Sequence, residues 1–206
     1  MRAPVTVLTA TIPGREVLLH EAIESVYGQT VEVEAHLIMA QSTTEGLPSP
    51  QHCALQQNAL LASVTTEWTL RLADDDLLLS DHVERILPHL DRADVVYSWD
   101  QAGNRPRIDC TGWPRSRLLQ QLAQRSWIDG SGVWVRTALL RDIGGWPTEV
   151  VGNPPMHGHF LSCGHATCED WACFYLLAKA GARFRCVPEE TWLYRAGGWP
   201  RISMED

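Results

Sequence analysis

Trp68-Thr69-Leu70-Arg71-Leu72-Ala73-Asp74-Asp75-Asp76 is the stretch on which the reading of this chain turns. Residues 68–73 suit a short, mostly apolar strand, and they run straight into three consecutive carboxylates. Beyond the acids, Val83, Ile86, Leu87 and Leu90 fall at i, i+3, i+4 and i+7, the spacing of one helix face. The acidic triplet is therefore expected at the carboxyl end of a strand, just ahead of a helix. In an open α/β sheet that is the crevice where ligands are held.

Working outward, residues 5–9 read as a buried strand. After the Pro13-Gly14 turn, Leu18, Leu19, Ala22, Ile23, Val26 and Tyr27 follow helical spacing. A second strand over 34–39 leads through a polar loop to a helical stretch carrying Ala54, Leu55, Asn58, Ala59 and Ala62. A further strand over 95–99 follows the acidic motif. This β-α-β-α alternation predicts an α/β, Rossmann-like domain with a mainly parallel central sheet flanked by helices. The second half is less regular. It offers a helix over 117–123, a strand over 132–136, a short helix ending at Gly144-Gly145, a long Gly/Pro/His loop over 152–168, and a helix over 170–180. A loop of that length inside a compact domain is characteristically a lid or a binding element.

At 206 residues the chain suits one domain, and with 45% hydrophobic and 20% charged residues its composition is that of an ordinary globular protein. The 17 basic residues against 25 acidic give a formal net charge of −8. That balance repels polyanions and excludes a general pull toward nucleic acid or anionic membrane. Residues 1–11 are too brief an apolar run for a secretory signal or a membrane span, so a cytoplasmic protein is expected. The six cysteines are then expected as thiols.

Three adjacent carboxylates repel one another unless protons or a cation offset them. Mg²⁺ or Mn²⁺ takes hard oxygen ligands and commonly bridges carboxylates to a diphosphate. The plainer alternative is a solvated turn whose acids cap the following helix.

Several segments occur in one order. They are the run from Val5 to Gln29-Thr30, Asp75-Asp76 with Leu77-Leu78-Leu79-Ser80, Ile128-Asp129-Gly130-Ser131 to Arg136, Gly144-Gly145-Trp146, Glu169-Asp170, and Tyr194-Arg195. In that order the chain resembles family 2 glycosyltransferases of the GT-A fold, over nearly its whole length. The resemblance implies a single GT-A-like domain over 1–206. Residues 1–100 would bind a nucleotide sugar, a UDP-sugar favoured, and 101–206 would hold the acceptor and the catalytic groups. It further implies metal ligation by Asp76 and Asp75, with Mn²⁺ or Mg²⁺ as cofactor. Donor contacts are expected from Thr9, Ala10, Thr11, Arg15, Gln41, His52, Asp74 and Asp75. Acceptor contacts fall to Asp129, Gly130 and Trp146. Glu169-Asp170 matches the acidic pair whose Asp is the general base of inverting members. Inversion independently requires one carboxylate to take the acceptor's proton; a helix cap is the plainer alternative for Asp170, and the family order favours the base.

The chain departs from the family at three places. Ala40 and Gln41 stand where an Asp pair often grips the nucleoside, His52 stands where a basic residue is expected, and no His follows Tyr194-Arg195 closely. His157, His159, Cys163, His165, Cys168 and Cys173 gather in one stretch but lack zinc-finger spacing. Trp68 and Trp99 read as core, while Trp113, Trp127, Trp146 and Trp199 lie where an indole can stack on a sugar. A nucleotidyltransferase on the same sheet would need a basic glycine-rich loop, where only Pro13-Gly14-Arg15 stands. A non-catalytic nucleotide-sugar or glycan-binding module is the other alternative. The acceptor is expected to be a small molecule, glycan or protein hydroxyl, with duplex DNA disfavoured by the charge.

Overall fold

The structure, a computed structural model, describes residues 2–40, 49–103, 106–148 and 169–195, with the backbone alone for 49–51. Strand β1 (Ala3–Thr11) forms the spine, and Val5, Val7 and Leu8 are fully buried on alternate faces, as in a strand covered on both sides. Around it follow α1 (Glu16–Tyr27), β2 (Val33–Ala40), α2 (Ser49–Leu61) and β3 (Trp68–Arg71). Then come the two-residue β4 (Leu77–Leu78), α3 (His82–Ile86), β5 (Val95–Asp100) and α4 (Arg115–Leu122). The order ends with β6 (Val133–Arg136), α5 (Thr137–Asp142), α6 (Glu169–Lys179) and β7 (Phe184–Leu193).

The seven strands make one sheet in the order β2-β1-β3-β6-β5-β7-β4. Strands β2, β1 and β3 are mutually parallel; β6 runs against both β3 and β5, and β7 is parallel to β5. With β4 antiparallel to β7, only β6 and β4 oppose the common direction, so the sheet is mainly parallel as expected. Each face carries its own core. Val7, Ala22, Val26, Leu70, Ile86 and Trp134 pack under α1 and α3, whereas Leu8, Ala54, Leu122, Leu140, Phe174 and Leu177 pack under α2, α4, α5 and α6.

Three features depart from the sequence expectation. Strand β5 does not lie beside β3, because β6 from the second half of the chain enters between them. Strand β7, ten residues long, goes unrecognised in the sequence, since Pro188, Glu189 and Glu190 break its apolar run. The β5–β7 register shifts beside Trp99, near these residues. The helix after the acidic motif is α only through Ile86 and continues as a 3₁₀ turn over Leu87–Arg92. Pro88 lacks the N–H that a longer α-helix would use. Among the described residues no helix is long and apolar enough to cross a membrane.

Candidate functional site

The carboxyl ends of β1 and β3 bring Thr11 beside the acidic triplet, and the turn after β1, with Gly14 at φ +86°, returns Arg15 to it. Thr11 donates its hydroxyl to Asp74 Oδ2 at 2.6 Å, and Arg15 Nη1 lies 3.1 Å from Asp74 Oδ1. Arg15 Nη2 donates to Asp75 Oδ2 at 2.5 Å. One guanidinium thus bridges two neighbouring carboxylates. Burial nevertheless raises the Asp74 carboxyl above its ordinary range, against the pull of Thr11 and Arg15.

Asp76 is held differently. It accepts the Ser131 hydroxyl at 2.5 Å on Oδ2 and the Arg195 backbone N–H at 3.1 Å on Oδ1. Burial pushes its carboxyl up to about 7; the nearby Asp75 and Asp129 charges add to this, while the Ser131 and Arg195 hydrogen bonds oppose it. Among the described residues no cation forms a salt bridge with Asp76, whereas Asp74 and Asp75 share Arg15. The Arg195 guanidinium, just past β7, bonds the Asp75 carbonyl, the Leu18 carbonyl and the Glu21 carboxylate, so β7 ends lashed across the motif.

A second cluster forms around Arg71, the last residue of β3. Arg71 Nη2 donates to Glu169 Oε1 at 2.7 Å and to Cys53 Sγ at 3.2 Å, and Nη1 lies 3.8 Å from Asp170 Oδ2. Glu169 is 8% exposed, and its burial raises its carboxyl even beside Arg71. Asp170 Oδ1 accepts the Trp171 N–H at 2.6 Å in the first turn of α6. Gly130 makes room for this meeting: a Cβ there would stand 2.4 Å from Arg71 Nη1 and 2.7 Å from Asp170 Oδ2. Its neighbour Ser131 accepts from the Ala73 N–H at 3.0 Å while donating to Asp76. Residues 130 and 131 therefore touch both clusters.

The remaining expected residues sort as follows. Thr9 is fully buried with its hydroxyl on His36 Nε2 at 2.9 Å, and Ala10 follows it on β1. Burial lowers the His36 ring to about 4, so that ring is neutral. His52 is 4% exposed on α2, and one turn later Gln56 donates to the Thr11 carbonyl at 3.2 Å. Asp129 is half-buried near Asp76. Trp146 is 4% exposed and packs in the core, as does Trp127, so neither indole presents an open stacking face in this structure. The Trp146 backbone is clamped by Asn58, which donates to its carbonyl at 2.7 Å and accepts its N–H at 2.8 Å. Gly145, at φ +81°, permits that clamp, since a Cβ would meet Asn58 Oδ1 at 2.2 Å.

Gln41, Trp199, His157, His159, Cys163, His165 and Cys168 lie outside the described residues. Cys173, the last member of the His/Cys stretch, is a buried free thiol, as are Cys110 and Cys186. Among the described residues no group of three or more His, Cys, Asp or Glu is arranged to hold a metal ion. Sequence reasoning missed the roles of Arg71, Ser131 and Cys53. Arg71 alone carried a signal: a charge inside an otherwise apolar strand demands a buried counter-charge.

No family model and no curated protein matches the chain. Solved structures do. S. aureus TarS 1-349 superposes with TM-score 0.62 at 17% identity, covering 94% of this chain and 60% of that one, and the same protein has been solved with UDP-GlcNAc. The mannosyltransferase PcManGT from Pyrobaculum calidifontis, in complex with GDP-Man and Mn²⁺, gives TM-score 0.63 at 15% identity, covering 98% and 59%. Glucosyl-3-phosphoglycerate synthase from Mycobacterium tuberculosis, in complex with Mg²⁺ and UDP, gives TM-score 0.54 at 11% identity, covering 94% and 72%. The chain thus spans about six-tenths of the length of the first two. From the order of its strands, the acids at the end of β3 and these superpositions, the chain has the GT-A fold of nucleotide-sugar glycosyltransferases.

Proposed function

We propose that the chain is a metal-dependent, inverting glycosyltransferase that moves a sugar from a nucleotide-sugar donor to an acceptor hydroxyl. The observation that carries this reading is the pair Gly130-Ser131, which joins the acidic motif to the Glu169-Asp170 cluster: Ser131 bonds Asp76, and Gly130 abuts Asp170. Glycosyl transfer needs a leaving-group site and a base that act on one substrate pair, and these two residues link the groups assigned to each role. The fold is shared with proteins solved with UDP-GlcNAc or GDP-Man.

The residues fit a hard divalent ion. Asp76 is a buried oxygen donor with no ion pair among the described residues, and Asp75 adjoins it. When bound, Mn²⁺ or Mg²⁺ supplies charge stabilisation to the departing diphosphate. Asp76 and Asp75 would hold that ion, and Ala10 and Thr11 at the end of β1 would border the nucleoside, Thr9 being fully buried on His36. Asp170 takes the acceptor's proton, with Arg71 fixing the acidic pair beside β3. The acceptor is assigned to the side of Asp129, which is half-buried beside Asp76. The chain's net charge of −8 favours a small molecule, glycan or protein hydroxyl over duplex DNA.

A thermal-shift panel of UDP- and GDP-sugars with Mn²⁺ tests the reading, since a ligand that binds the native state raises its melting temperature. A UDP-sugar is expected to stabilise the protein only with the ion present. Equal stabilisation in EDTA would remove the metal from the proposal.

A further inference from the structure

Arg15 occupies an unusual place for a residue expected to touch the donor. It is 7% exposed, its Nη1 is 3.1 Å from Asp74, its Nη2 is 2.5 Å from Asp75, and both carboxylate side chains are nearly buried. A guanidinium fork matches two carboxylate oxygens, and it matches a diphosphate equally well. An ion entering on Asp76 meets Asp75 already paired with Arg15. Two cations sharing one carboxylate at such distances repel, and the repulsion is weakly screened in a buried site.

We propose that Arg15 is an internal counter-cation that competes with the divalent ion for Asp75, and that a nucleoside diphosphate relieves the competition by drawing the guanidinium onto its own oxygens. Metal and diphosphate then bind synergistically, each weakly alone. This deepens the proposed donor site and rests on that reading. It assigns Arg15 a role in ordering the entry of ion and donor, beyond simple donor contact. Asp74 keeps its Thr11 hydrogen bond after Arg15 leaves, so the strand end retains one of its two supports.

The test is Mn²⁺ binding to the full chain, read by electron paramagnetic resonance with and without UDP, in the wild type and in Arg15→Gln. The expected result is that Arg15→Gln binds Mn²⁺ alone about tenfold more tightly than the wild type. UDP should tighten Mn²⁺ binding by a larger factor in the wild type than in the variant. Arg15→Lys keeps the charge but reaches one carboxylate; it should show a smaller gain, and it carries the comparison should Arg15→Gln fail to fold. An Arg15→Gln affinity for Mn²⁺ alone that equals or falls below the wild type overturns the proposal. If Arg15→Gln gains affinity while UDP changes nothing in either protein, the competition stands and the nucleotide-donor reading falls instead.

Discussion

Glu169 and Asp170 share one buried arginine, Arg71, whereas the Asp74-Asp75-Asp76 triplet has Arg15 for two members and no ion pair for Asp76 among the described residues. The two clusters are joined through Gly130 and Ser131. In the first, one guanidinium lies 2.7 Å from Glu169 and 3.8 Å from Asp170, so each carboxylate has a cation at hand inside the protein. The second is incomplete, because a buried carboxylate without a cation holds a proton or waits for an ion. The proposed function assigns the base to the first cluster and the incoming ion to the second.

The largest test strikes the Arg71 cluster. Arg71→Met leaves Glu169 and Asp170 buried without their cation and is expected to cost about 3–5 kcal/mol of stability by urea melt. A loss well under 1 kcal/mol would mean that the pair is balanced by solvent. The incomplete cluster should respond in the opposite direction. The folded Asp76 carboxyl is raised from 3.8 to about 7, so its contribution is full below pH 4 and is lost as pH rises through 7. Without metal, Asp76→Asn should therefore stabilise the protein at pH 8 by on the order of 2–4 kcal/mol and by almost nothing at pH 4. The same variant should lose metal-dependent stabilisation by the donor. A destabilised Asp76→Asn at pH 8 would show that the motif is already balanced.

Chemistry provides the next comparison. Asp170→Asn keeps the size and much of the capping ability, and turnover should fall by about 10²-fold or more while donor binding persists. Near-normal turnover would reduce Asp170 to a helix cap. The smallest effect is expected at the junction. Gly130→Ala puts a Cβ against Arg71 Nη1 and Asp170 Oδ2, which should cost about 1–3 kcal/mol, toward the lower end because Arg71 is a long side chain with room to shift. A neutral Gly130→Ala would show that the two clusters are not sterically joined through this residue.

What could be read from the sequence was local. The apolar run of β3 ending in three acids, and the helical spacing on either side, placed the triplet at a strand's carboxyl end because strand and helix periods are written within a few residues of each other. Glu169 and Asp170 at the start of α6 were legible for the same reason. Tertiary structure decided which groups meet. Arg71 and Glu169 are 98 residues apart in sequence, and Ser131 and Asp76 are 55 apart. Their contacts depend on β6 entering beside β3 and on α6 packing into the core that holds Leu8, Ala54 and Leu122, and no local pattern encodes a strand's neighbours. The burial of Trp146, the lashing of Arg195 over the motif and the division of one arginine between two acids follow from that same non-local order. Local periodicity sets where side chains point along an element, while strand order and register set what they point at.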